Sequence, residues 1–227
     1  MRSRRWTVGI LLVLLCQLCN AADLSNYSAA VAYVRSLATM HDLQVDGKME
    51  FSNSRSSTSQ LMTSVRMSTK ANLEMRAMIA GFEQLEVSDH AKPFVRGLAD
   101  FYQQKIELND ALKEIASQML GGPKPGVDYG KLMASSAEIT ATMDQIDEQI
   151  FKLANAFFAV MIDMRPDKEG HVSHLKITRA QRKELLGLIE SRFGASLKDK
   201  ARNWTVSGAW LMRANLQKEF KTSDEAW

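Results

Sequence analysis

Four stretches of this chain place apolar residues at alternating intervals of three and four, and that spacing admits helix and little else. The first runs Leu24, Tyr27, Val31, Val34, Ala38, His41, Val45, and the second Leu61, Val65, Ser68, Asn72, Met75, Ile79, Phe82. The third runs Phe94, Leu98, Phe101, Lys105, Leu108, Leu112, Ile115, Met119, and the fourth Ile139, Met143, Ile146, Ile150, Leu153, Phe157, Val160. A half-buried strand would alternate with period two. No such alternation is sustained here, and β-branched residues do not cluster. The repeat turns a narrow stripe towards neighbours packed about 20° from parallel. The expected fold is all-α: an antiparallel four-helix bundle over residues 23–164, with residues 165–227 adding two helices packed on it.

Proline and glycine punctuate this pattern. The four prolines are Pro93, Pro123, Pro125 and Pro166. Asp89 is placed to cap the third helix, with Pro93 tolerated in its first turn. Gly121-Gly122-Pro123 ends that helix, because glycine accepts the left-handed terminal conformation and proline cannot continue it. Residues 153–162 are apolar nearly all round apart from Asn155, so another element should cover that end of the fourth helix. After a turn-rich connector, Thr178 and Gln181 have the spacing of a capping box. Leu185, Leu188, Ile189 and Phe193 follow as an apolar face, and Gly194 closes it. A last helix near residues 204–220 carries Trp204, Trp210, Leu211 and Phe220.

The N-terminus reads as an export signal. Arg2, Arg4 and Arg5 precede an apolar run over residues 8–19, broken only by Gln17, and the small residues Ala21 and Ala22 follow. Basic, apolar and small segments in that order describe a secretory signal peptide, residues 1–21, removed by cleavage after Ala21 or Ala22. An uncleaved membrane anchor would need about 20 apolar residues, more than this run offers. Leucine precedes both Cys16 and Cys19, where lipid attachment wants a small residue. Cleavage would remove both cysteines and leave a chain held together by core packing alone.

Cleavage would also cancel the net charge, since the chain has 29 basic and 26 acidic residues and the signal holds three arginines. A nucleic-acid partner is therefore not expected. The remaining charge is unevenly spread: residues 23–164 hold 13 basic and 18 acidic side chains, and residues 165–202 hold 10 and 5. A basic helix docked on an acidic bundle accounts for this, as does peripheral contact of residues 165–202 with an anionic membrane.

Candidate sites are few. His171 and His174, with Met161 and Met164 shortly before, combine imidazole and thioether ligands that suit copper, although methionine also serves as filler in irregular cores. His41, Asn72 and Lys105 interrupt three apolar stripes, which reads either as a polar pocket for a small ligand or as side chains that set register or reach past the core. Asp144, Asp147 and Glu148 form an acidic cluster on the fourth helix. Paired carboxylates can work as acid and base or hold metals, but no Glu-x-x-His motif accompanies them, and a solvated face is the simpler reading. The triplets Asn26-Tyr27-Ser28 and Asn203-Trp204-Thr205 would be glycan acceptors only in a eukaryotic secretory pathway. No phosphate loop, serine-nucleophile motif or zinc pattern occurs.

Residues Ile177-Thr178-Arg179-Ala180-Gln181-Arg182 resemble the Leu-Thr-x-x-Gln motif of small helical periplasmic stress chaperones. The likeness covers one copy and six residues, with isoleucine for leucine, and a capping box accounts for it equally. The function expected from all this is non-enzymatic and without a cofactor. It is a helical bundle, periplasmic or secreted, that binds a protein partner or small ligand in the cell envelope or outside the cell. Copper handling is the alternative.

Overall fold

A computed structural model describes the backbone of residues 4–122, 124–162, 177, 179–197 and 204–224, and side chains between residues 26 and 217 within those stretches except at 159–162, 179 and 215. It is all-α: α1 (Arg4–Asn53), α2 (Ser57–Glu83), α3 (Lys92–Met119), α4 (Tyr129–Ile162), α5 (Arg179–Phe193) and α6 (Trp204–Asp224), with no strand among the described residues. Nor is any described helix long and apolar enough to cross a membrane.

Local chemistry sets most of the boundaries. The Ser56 hydroxyl accepts the Ser59 N–H at 3.1 Å and so caps α2. At α3 the capping expectation is corrected. The helix starts after Ala91 without a side-chain cap: the Ser88 carbonyl accepts the N–H groups of Ala91 and Lys92 at 3.0 Å, while the exposed Asp89 pairs with Lys92 at 2.7 Å. Pro93 sits in the first turn, where its missing N–H costs nothing. Gly121 and Gly122, with φ of 89° and 82°, stop α3 by taking the left-handed conformation that a side chain would strain. Asp128 accepts the Lys131 N–H at 3.0 Å at the start of α4. The N-capping position expected at Thr178 lies outside the described residues.

From α1 to α4, contacting neighbours in sequence run antiparallel. Asp46 pairs with Lys70 at 2.7 Å, Glu50 with Arg66, and Ser54 with Thr63 at 3.0 Å, so α2 descends where α1 ascends. Asn72 meets Asn109 and Phe82 meets Tyr102 between α2 and α3. Phe94 stacks on Phe157 at 4.2 Å between α3 and α4. The apolar end of α4 is covered by α6, which lies between α1 and α4 and packs on both, while α5 packs on α1 and α6. Within α6 the buried residues are Thr205, Val206, Ala209, Met212 and Leu216, and Trp210 points outward at 55% exposure.

The core gathers around aromatic rings. Tyr33 of α1 lies 5.7 Å from Phe94 and 5.6 Å from Phe158, centroid to centroid, so one side chain ties α1 to α3 and α4. Its neighbour Tyr102 donates to Ser36 at 3.1 Å, which donates in turn to the Tyr33 carbonyl at 2.8 Å. Burial pushes both phenols well above the usual tyrosine range, so neither ionises near neutrality. Asn26 is buried and accepts from Ser88 at 2.6 Å, which leaves no room for a glycan on the folded chain.

Candidate functional site

The three polar interruptions of the apolar stripes do not converge on one pocket. Asn72 donates to Asp110 at 3.0 Å and accepts from Asn109 at 3.1 Å, forming an amide bridge between α2 and α3. His41 sits between α1 and the α5–α6 segment: its Nε2 lies 3.0 Å from the Ser196 hydroxyl and its Nδ1 3.5 Å from that of Thr205. The ring lies against Phe193, 5.4 Å away. Burial pulls its pKa below the ordinary histidine value, with Asp42 opposing and Lys48 adding to that effect.

Lys105 is buried, not snorkelling to solvent, and its ammonium pairs with Asp147 of α4. The Trp204 ring of α6 covers the same nitrogen at 4.9 Å. Asp147 is therefore corrected from a solvated residue to a buried ion-pair partner. Burial raises its pKa, the Lys105 charge and hydrogen bond oppose the shift, and Asp144 adds to it. Asp144 and Glu148 remain exposed, as the acidic-cluster reading expects. Glu148 pairs with Lys152 one turn away at 2.8 Å, which holds its carboxyl below the usual range.

Trp204 and Thr205, the α6 partners of Lys105 and His41, are consecutive residues. Thr205 also donates to Gln44 at 3.4 Å. Gln44, Asp144, Asp147, Glu148, Phe151, Trp204 and Ser207 line an open cleft of about 550 Å³ between α1 and α4, floored by the start of α6. A second groove of about 590 Å³ continues from Gln44 along Gly47, Lys48 and Phe51. Carboxylates, an amide, a hydroxyl and two aromatic faces are recognition groups for an amphipathic ligand.

Met164, His171 and His174 lie outside the described residues, and Met161 falls within α4 with its side chain undescribed. Among the described residues no group of His, Cys, Asp or Glu is arranged to hold a metal ion. Against known proteins, the chain matches no family model, no curated protein and no solved structure.

Proposed function

We propose that this chain is an exported, non-enzymatic binding protein that takes a partner or ligand in the cleft between α1 and α4. In this reading residues 1–21 are a cleaved signal, α1 to α4 form an antiparallel four-helix bundle over residues 23–164, and residues 165–227 dock on it. The observation that carries the proposal is the cleft itself. Lys105, buried beside it, pairs with Asp147 under the Trp204 ring. In the cleft Asp144 and Glu148 are exposed and Gln44 and Phe151 half-buried, so each presents surface to another molecule. A protein partner is favoured over a small ligand because the opening is wide and continues along α1.

Photo-crosslinking in the native compartment tests it. A photoreactive residue at Gln44 or Phe151 should trap a partner that one at the exposed Glu83, on α2, does not. Equal or absent adducts from all three positions would defeat the reading. N-terminal sequencing of the exported chain should begin at Ala22 or Asp23. The rival function, copper handling through Met161, Met164, His171 and His174, is separated by calorimetry with Cu(I) and Cu(II): tight binding abolished by His171→Ala with His174→Ala would displace partner binding as the main role.

A further inference from the structure

Among the described residues, the cleft is the uncovered continuation of a seat that α6 already occupies. On α1, the residues turned towards α6 and α4 include Tyr33, Leu37, His41 and Gln44, and the same spacing leads on to Lys48 and Phe51. On α4, Phe158, Phe151, Asp147 and Asp144 lead on to Thr140, Ala137 and Met133. α6 begins at Trp204, level with Gln44 and Asp147. Beyond that level α1 continues from Val45 to Asn53, and α4 extends from Met143 back to Tyr129. At 1.5 Å per residue those extensions measure about 13 Å and 22 Å, room for roughly two and a half turns of helix beside α1 and about four beside α4.

The faces left over are apolar where a helix would lie. Phe51 is 41% exposed and Met133 59%, with Thr140 and Ala137 small and open between Met133 and Asp144. The walls differ in charge. Asp144 and Glu148 stand on the α4 side and Lys48 on the α1 side, and neither Lys48 nor Asp144 has an ion-pair partner among the described residues.

We infer that this slot receives an amphipathic helix of another protein, laid in line with α6. Its apolar face meets Phe51 and Met133, its basic flank lies against Asp144 and Glu148, and its acidic flank lies against Lys48. This is helix-in-groove recognition, in which the apolar face supplies affinity and the flanking charges set orientation. The inference rests on the binding reading above and names its partner class. The argument is continuity with the α6 interface together with the charge of the two walls.

The test uses two dye-labelled, stapled helical peptides of about 14 residues, long enough for the slot at 1.5 Å per residue. Both share a leucine face; one carries lysines on one flank and glutamates on the other, and the second carries glutamates on both. Fluorescence anisotropy with the full chain should show the lysine-flanked peptide binding at least about tenfold more tightly. Asp144→Lys with Glu148→Lys should invert that preference, and Phe51→Asp should abolish binding while circular dichroism stays unchanged. Equal binding of both peptides, or a preference untouched by the double reversal, overturns the inference. A second readout separates it from the broader proposal: an environment-sensitive dye on Phe51→Cys, in a chain with Cys16→Ser and Cys19→Ser. If that dye responds to a non-ionic detergent or to raised protein concentration but to neither peptide, the cleft binds an apolar ligand or a second copy, and the helix partner is wrong. If it responds to nothing added, both readings fall.

Discussion

Lys105 carries its charge into the interior and is held there by two elements distant in sequence. Its pairing with Asp147 joins α3 to α4, and Trp204 lays its ring over the same ammonium from α6. Truncation as Lys105→Ala leaves the Asp147 carboxylate buried without a cation, which should cost about 3–5 kcal/mol. Replacing both partners, as Lys105→Met with Asp147→Leu, should restore most of that loss; urea midpoints for the three variants check both statements. His41 offers a pH test. Burial depresses its folded pKa below 6.5, so the fold prefers the neutral ring. Its contribution is complete above that ordinary value and is lost as the pH falls through the lowered one. Stability should therefore drop as the pH falls below about 7, and His41→Gln should flatten that slope in urea titrations, because no ring remains to be protonated. Both side chains are conspicuous in the sequence as polar breaks in apolar stripes, but their partners are not. Asp147 lies 42 residues from Lys105, and Thr205 lies 164 from His41, distances over which periodicity carries no information.

Helix pairing in this molecule depends on close approach at a few positions. Gly97 of α3 faces Leu153 of α4 so closely that an added Cβ would stand 2.7 Å from Leu153 Cδ2. Gly97→Ala must push that side chain aside, at a cost of about 1–3 kcal/mol. Leu153 is only half-buried and can yield, which favours the lower end. Combining it with Leu153→Ala should remove the clash, so the two changes should be non-additive in a thermal-denaturation cycle. The alternating stripes identified Val34, Ala38, Met75, Phe82, Leu98, Ile146, Ile150 and Phe157 as core, and all are buried. They passed over Ala30, Tyr33 and Leu37 on α1, and Tyr102 and Ile106 on α3, which are buried too. The reason is geometric. A narrow stripe describes a helix with one seam, whereas α1 packs on α2, α5 and α6 and so buries a wider arc. Trp210 of α6 faces outward at 55% exposure, since periodicity alone does not choose which side of a helix is docked.

At the scale of the molecule, burial is concentrated at one end. Residues 29–43 of α1, 94–106 of α3 and 146–158 of α4 supply most of the core. Leu61, Val65, Leu112, Ile115, Ile139 and Met143, at the other end, are only half-buried. Native-state hydrogen exchange should therefore protect amides in the first group most strongly and open residues 45–53 and 129–140 at lower free energy. Uniform protection along the helices would show that the cleft end is as firmly packed as the core. The helical class and the four principal segments were legible in the sequence, because periodicity is a local property. The cleft was not, because it exists only where α6 stops short between two helices it separates. That placement has a consequence for how the chain is made. Synthesis runs from the N-terminus, so α1 and α4 are complete before α6 exists. Until α6 emerges, the flank of α1 bearing Leu37 lacks the cover of Gly208, and the nascent chain stays open along that seam. α6 is thus the element that commits the chain to its finished core.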